Sequence, residues 1–145
     1  FNIQRSRVMK LGLLLSLFLL VFASCSNEES RLELFSPEVF TFDTEEGWEI
    51  NASVQVKGFS FSNKENEEKF SLNYYVNLVD PSGNKIEKIE DGLFSESVEE
   101  KIDDIGINIQ FELDSTFTDG KYLLEFVVED EFTSGKAQIE KEFEL

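Results

Sequence analysis

The chain has 145 residues with 30 acidic and 13 basic side chains, a net charge of −17, no histidine and a single cysteine. So acidic a surface repels phosphate backbones, which excludes nucleic-acid binding built on Lys and Arg neutralisation. The missing histidine excludes His-based triads and His-ligated metals, while 15 Phe argue against disorder despite the charge.

The first element is an apolar block, Leu11 to Phe22, of 12 residues. As a helix it measures roughly 18 Å at about 1.5 Å per residue, and a membrane core of about 30 Å needs about 20 apolar residues. It fits a cleavable export signal better: Lys10 precedes it, its length lies in the range of about 7–15 residues for such a segment, and small Ala23-Ser24 follow. Met9-Lys10 reads as the start of that signal, with residues 1–8 upstream of it.

Phe22-Ala23-Ser24-Cys25 resembles the lipobox of bacterial lipoproteins, although Phe22 stands where leucine is usual. The resemblance implies cleavage before Cys25, diacylglycerol on its thiol and acylation of the new amino group. An ordinary secretory signal would leave Cys25 as an unpaired reactive thiol in an exported protein. Lipidation gives the lone cysteine a use, and two or three acyl chains satisfy the need for more than one to hold a protein at a membrane. Ser26 occupies the position where aspartate retains lipoproteins in the inner membrane, so the resemblance implies an outer-membrane destination. Ser26-Asn27-Glu28-Glu29-Ser30 resembles the short acidic surface-export signals of Bacteroidetes lipoproteins and is equally readable as a solvated tether. Residues 1–24 are thus read as upstream sequence and signal peptide, 25–30 as lipidated cysteine and tether, and 31–145 as the folded domain. Removing residues 1–24 leaves 121, with 10 basic and 30 acidic side chains and a charge near −20. The acyl chains are then the only plausible membrane contact.

From Leu32 on, the pattern is that of strands. Leu32 and Leu34, then Phe40 and Phe42, suggest a first edge segment. Trp48, Ile50, Ala52, Val54 and Val56 alternate with polar residues, the period of two of a half-buried strand. Gly58, Phe59 and Phe61 follow, and then the polar run Ser62 to Glu68. Phe70, Leu72, Tyr74, Val76 and Leu78 give the next face, with Tyr75 pointing the other way. Asp80-Pro81-Ser82-Gly83-Asn84 carries Pro and Gly as a tight turn requires, and Lys85 to Ile89 reads as a short strand. Ile107, Ile109, Phe111 and Leu113, then Tyr122, Leu124, Phe126 and Val128, make two more faces. Thr133-Ser134-Gly135-Lys136 can close a hairpin to Ala137, Ile139, Phe143 and Leu145, with Lys141 as the inward exception. No stretch has helical periodicity.

About seven short antiparallel strands with this spacing predict an all-β sandwich. Asp119-Gly120-Lys121-Tyr122 resembles the tyrosine corner of immunoglobulin-like and fibronectin-type domains, and the tail from Asp119 to Leu145 resembles their closing hairpin. The resemblance implies an immunoglobulin-like β-sandwich and a Tyr122 hydroxyl bonded to nearby backbone; it implies no function.

Chemistry-bearing residues are few. A carboxylate pair could serve a glycosidase, but among 30 acids some pair is suitably spaced by chance, so the reading is non-catalytic. Asp103-Asp104, and Glu129-Asp130-Glu131 placed near Asp80 by converging loops, offer oxygens for calcium, yet lack the alternating Asp/Asn and Gly of a calcium loop. They read as solvated acidic loops, and no metal or cofactor is expected. The expected function is an outer-membrane or cell-surface lipoprotein acting as a protein-interaction or structural module on an envelope partner. The alternative is a glycan-binding lipoprotein. Aromatics that break the inward pattern are the candidate contacts: Phe59 and Phe61 as an exposed patch on a hairpin tip or folded back over the sandwich edge, Tyr75 on the outward face, and Phe94, Phe117 and Phe132 in or beside loops.

Overall fold

Alternation of apolar and polar residues becomes two antiparallel sheets in the computed structural model, which describes residues 31–64 and 66–145. The residues read as upstream sequence and signal peptide, Cys25 and the residues 26–30 read as a tether lie outside the described residues. The elements are β1 (Glu33–Thr44), β2 (Gly47–Lys57), β3 (Ser62–Lys64), β4 (Glu67–Val79), β5 (Lys85–Val98), β6 (Asp104–Asp114), β7 (Lys121–Asp130) and β8 (Lys136–Glu144). One sheet has the order β1-β2-β6; in the other, β4 pairs with β5 and β7, β8 lies beyond β7, and β3 adds a short pairing to the start of β4. This is the division of strands A-B-E from C-F-G that defines an immunoglobulin-like sandwich. The strand beyond the seven expected is the three-residue β3.

The inward faces fill the space between the sheets. Ile50, Val54, Val56, Ile107 and Leu113 from one sheet meet Phe70, Leu72, Val76, Leu78, Leu124, Phe126 and Val128 from the other, all essentially buried. Tyr122 is only 2% exposed, and its hydroxyl donates to the Thr118 carbonyl oxygen at 2.8 Å, the corner bond its position implied. The expected turns form as well: the Asp80 backbone N–H donates to the Asn84 carbonyl at 2.9 Å, Gly83 adopts φ +87°, and the Asp130 N–H donates to the Gly135 carbonyl across the last hairpin.

Strand directions define two ends. The chain enters beside Arg31, and that end also holds the close of β2, the start of β4 and the β7–β8 turn; the far end holds the β1–β2 turn, Asp80–Asn84 and residues 114–120. Asp80 and Glu129-Asp130-Glu131 therefore do not converge. Leu72 pairs with Asp130 and Val79 with Leu123, so roughly 23 Å of strand separates the two groups at about 3.3 Å per residue.

Three local expectations are corrected. Lys85 to Ile89 is only the start of β5, which runs on to Val98. That extension escaped the alternation because it is an outer strand with a bulge: Val76 pairs with Glu90 but Leu78 with Ile86, leaving residues 87–89 opposite Asn77. Phe94 accordingly sits in a strand and stacks on Phe70 at 5.8 Å. Phe59 and Phe61 form no exposed patch. Phe59 is 5% exposed, inside the core, and Phe61 packs half-buried against it, their centroids 5.3 Å apart and 5.0 and 5.9 Å from Phe70. Gly58, at φ +73°, turns the chain back there, and a Cβ on it would lie 2.2 Å from the Arg31 carbonyl oxygen. The aromatics plug the end of the sandwich where the chain enters.

Candidate functional site

Among the described residues, two outward-facing aromatic sites lie near a bulge: Phe40 and Phe42 just past the one in β1, and Tyr75 beside the one in β5. In β1, Phe35 pairs with Gln55 and Glu38 with Ser53, so Ser36 and Pro37 together stand opposite Val54. Ser36 takes φ +49°, a conformation L-residues rarely adopt. Because strand side chains alternate, the extra residue exchanges the faces beyond it. Leu32 and Leu34 point into the core, but past the bulge Val39 packs on the core while Phe40 and Phe42 turn outward, 58% and 54% exposed.

Around these rings the outer face of β1-β2-β6 is flat and rich in carboxamides. Phe40 pairs across with Asn51, which pairs with Gln110; Glu38 pairs with Ser53, which pairs with Asn108. Phe40, Asn51, Ser53, Asn108 and Gln110 line a shallow depression of about 400 Å³. The next row holds Phe42, Glu49 and Glu112. Chemically the face offers two π-surfaces, amide donors and acceptors, and negative charge at one margin.

The second place is the outer face of the other sheet, around Tyr75. The bulge in β5 puts Lys88 at φ +50°, its backbone N–H bonded to Asn77 Oδ1 at 2.9 Å, and its ammonium 4.9 Å from the centre of the Tyr75 ring. Lys136 reaches the same ring from β8 at 5.6 Å and donates to the Tyr75 hydroxyl at 3.1 Å and to Glu129 at 2.7 Å. Its pKa is raised, first by the bond to Glu129 and then by that to Tyr75. Below them Asn77 Nδ2 donates to Glu125 at 3.0 Å and Lys85 pairs with the same carboxylate. Lys85 holds Glu125 below the usual carboxylate range and Asn77 adds to the effect. Tyr75 is thus outward, as its parity requires, but lysines from β5 on one side and from β8, beyond β7, on the other reach its ring; it is a filled cluster rather than an open platform for stacking.

Of the remaining candidates one is packed and one is not. Phe117 packs on Tyr122 at 6.5 Å, whereas Phe132 is exposed at the β7–β8 turn. The buried Asp130 carboxylate accepts from the Ser60 N–H and hydroxyl at 2.7–2.8 Å and from the Phe132 N–H at 2.9 Å, tying the Gly58–Ser60 segment to that turn. Glu131 accepts from Ser71 and from Asn73, which lowers its pKa. Among the described residues no group of three or more His, Cys, Asp or Glu side chains could hold a metal ion.

Phe40 and Phe42 were hidden from a reading by twos, because counting on from Leu34 turns them inward. The one local signal is Ser36-Pro37, a proline inside an apolar strand pattern, which marks an edge or a bulge. No protein-family model matches the chain, and neither does any curated protein.

Proposed function

We propose that this chain is a lipid-anchored envelope protein, attached to the outer membrane through Cys25, whose sandwich is a non-catalytic module that docks on an envelope protein. The exposure of Phe40 and Phe42 side by side on one open sheet face carries the docking half of the reading. Isolated exposed apolar side chains are ordinary, but two large rings in adjacent outward positions of one strand form a patch of the kind that interaction surfaces use. Position supports it too: Phe40 lies nine residues along the chain from Arg31, roughly 30 Å at about 3.3 Å per step, so the patch stands well away from the tethered end.

The carboxamides favour a second reading. Phe40 with Asn51, Asn108 and Gln110 around one shallow depression is an arrangement that suits a sugar ring, an aromatic for its C–H face and amides for its hydroxyls.

One pair of variants addresses both. Phe40→Ser with Phe42→Ser should leave the melting temperature nearly unchanged and abolish co-purification of an envelope protein with the membrane-bound chain. Binding of a glycan array by the wild type, lost in the same variant, would transfer the face to the second reading; unchanged behaviour in both assays would end both. For the anchor, labelled palmitate should mark the wild type expressed in bacteria and leave Cys25→Ser unlabelled and released from membranes.

A further inference from the structure

Every sheet in a sandwich ends in strands with one unpaired row of backbone N–H and C=O groups, and folded proteins blunt such edges with lysines, prolines, bulges or a covering segment. Three of the four outer strands carry these devices. β1 has Pro37 and the Ser36 bulge, and its Thr41 hydroxyl donates to the Glu144 carbonyl across the sandwich at 3.2 Å. β5 has its own bulge with Lys85 and Lys88, and β8 has Lys136 and Lys141.

β6 has none of them. Its sequence, Asp104-Ile-Gly-Ile-Asn-Ile-Gln-Phe-Glu-Leu-Asp114, holds no Lys, Arg or Pro, and it pairs with β2 through 11 consecutive residues without a register shift. Among the described residues β2 is its only ladder partner, and no other backbone or side-chain bond reaches residues 105–113. The inward row, Ile105, Ile107, Ile109, Phe111 and Leu113, is the margin of the core, and the outward row is polar.

Among the described residues, what guards this edge is negative charge alone. Asp104, Glu112 and Asp114 are exposed on it, and Glu112 stands directly opposite Glu49 of β2. Like charges in that position repel, and among the described residues neither forms an ion pair. A guard of one sign rejects one class of partner and attracts another. A second copy is rejected: antiparallel pairing of two β6 edges centred on Ile109 sets Asp104 against Asp114 at both ends, between molecules that each carry −17. A basic strand is attracted.

We infer that the open edge of β6 accepts an extended basic segment of a partner protein as an added antiparallel strand, with alternate residues basic on the outer face, opposite Glu112, and apolar over the core margin. Main-chain hydrogen bonds supply the attachment and the alternate side chains the selectivity. A cation opposite Glu112 neutralises a repulsive pair that the free sheet leaves standing. The proposal rests on the reading of this chain as a protein-docking module and names the chemistry of the segment docked.

The test uses the full chain and a peptide as long as β6, 11 residues, alternating valine and lysine. Amide hydrogen exchange of β6 should slow on binding, with β5 and β8 unaffected. A peptide of the same composition with its lysines in one block should bind at least roughly tenfold more weakly, and Glu112→Lys should weaken the alternating peptide by roughly tenfold while keeping the fold. Absence of binding, protection at another edge, or equal binding of the block peptide would overturn the inference, the last showing charge attraction alone. Self-association of the free chain with β6 protected would overturn it in favour of a second copy. Slowed β6 exchange together with an inert Phe40→Ser, Phe42→Ser variant would remove only the aromatic face from the docking reading; the reverse pair of results would remove only the edge.

Discussion

The Tyr122 hydroxyl and the Phe59 ring show how far a single side chain can be judged by its surroundings. Tyr122 is buried and makes one bond through its oxygen, to the Thr118 carbonyl at 2.8 Å. Tyr122→Phe keeps the ring and its stacking on Phe143 but leaves the carbonyl to find another donor, so the expected loss is about 1 kcal/mol. Tyr75→Phe loses only an exposed contact with Lys136 and should change stability by a few tenths at most, as about 0–1 kcal/mol is typical of exposed polar pairs. Denaturant midpoints of the two variants check this, and equal shifts would contradict the corner's structural role. Phe59 lies among Phe61, Phe70 and the core, and truncating a buried Phe costs about 3–5 kcal/mol. Phe59→Ala should therefore lower the unfolding free energy by about 3 kcal/mol or more, whereas Phe40→Ala, on an exposed ring, should stay within about 0.5 kcal/mol. Comparable losses from the two would mean that the first ring is not core or the second is not free.

At the scale of the strand, one inserted residue decides which faces meet the solvent. Ser36 holds φ +49°, a left-handed conformation that costs an L-residue roughly 1–2 kcal/mol and glycine far less. Ser36→Gly should then hold or raise the thermal midpoint, and Ser36→Ile, β-branched in the same place, should destabilise by about 1–2 kcal/mol; the opposite order would deny the bulge its strain. The same residue marks where the sequence stops being legible. β2, β6 and β7 could be read outright because their inward residues fall two apart without interruption and central or regular pairing keeps that period. β1 could not, because its bulge changes the parity in mid-strand, and nothing in a count by twos reveals a residue that faces nowhere. β5 could not, because two extra residues interrupt it at 87–89 and the row that pairs with the inward residues of β4, Ile86, Glu90, Gly92 and Phe94, is not consistently apolar. At Gly58-Phe59-Ser60-Phe61 the exposed-patch reading failed for another reason, and the folded-back one holds: the polar run after it describes the exposed β3 hairpin, while the rings are received by Phe70, itself stacked on Phe94 from another strand. A candidate contact judged from its neighbours along the chain was settled by neighbours across the fold. The acidic guard on β6, by contrast, is plain in the sequence, yet its meaning depends on β6 being an edge, which only the pairing reveals.

For the molecule as a whole, charge and specific bonds act on stability with opposite signs as pH falls, and the four carboxylates held low decide where one overtakes the other. At pH 7 the net charge is −17, and it vanishes near the isoelectric point of about 4.2, so acidification first relieves self-repulsion and stabilises the fold. Asp80, bonded by Asn84; Asp114, bonded by Thr116; Glu125, bonded by Lys85; and Glu131, bonded by Ser71, all have pKa values below the ordinary 3.8 for Asp and 4.5 for Glu. A carboxylate whose folded pKa is depressed contributes stability that is fully present above its unfolded pKa and is lost as pH falls through the folded value. Those contributions are intact down to about pH 4.5 and disappear below about pH 4, where little repulsion remains to be relieved. The thermal midpoint should therefore rise from pH 7 to a maximum between about pH 4.5 and 6 and then fall, with Glu125→Gln lowering the plateau and making the acid limb shallower. Salt separates the two causes. Raising ionic strength from about 0.01 to 0.1 M shortens the Debye length from about 30 to 10 Å, so it should raise the midpoint at pH 7 and do little near the isoelectric point. A midpoint that declines steadily from pH 7 downward, or that ignores salt at pH 7, would mean that the acidic surface is spread too thinly over the two sheets to strain the fold, and that its charge acts only on what approaches from outside.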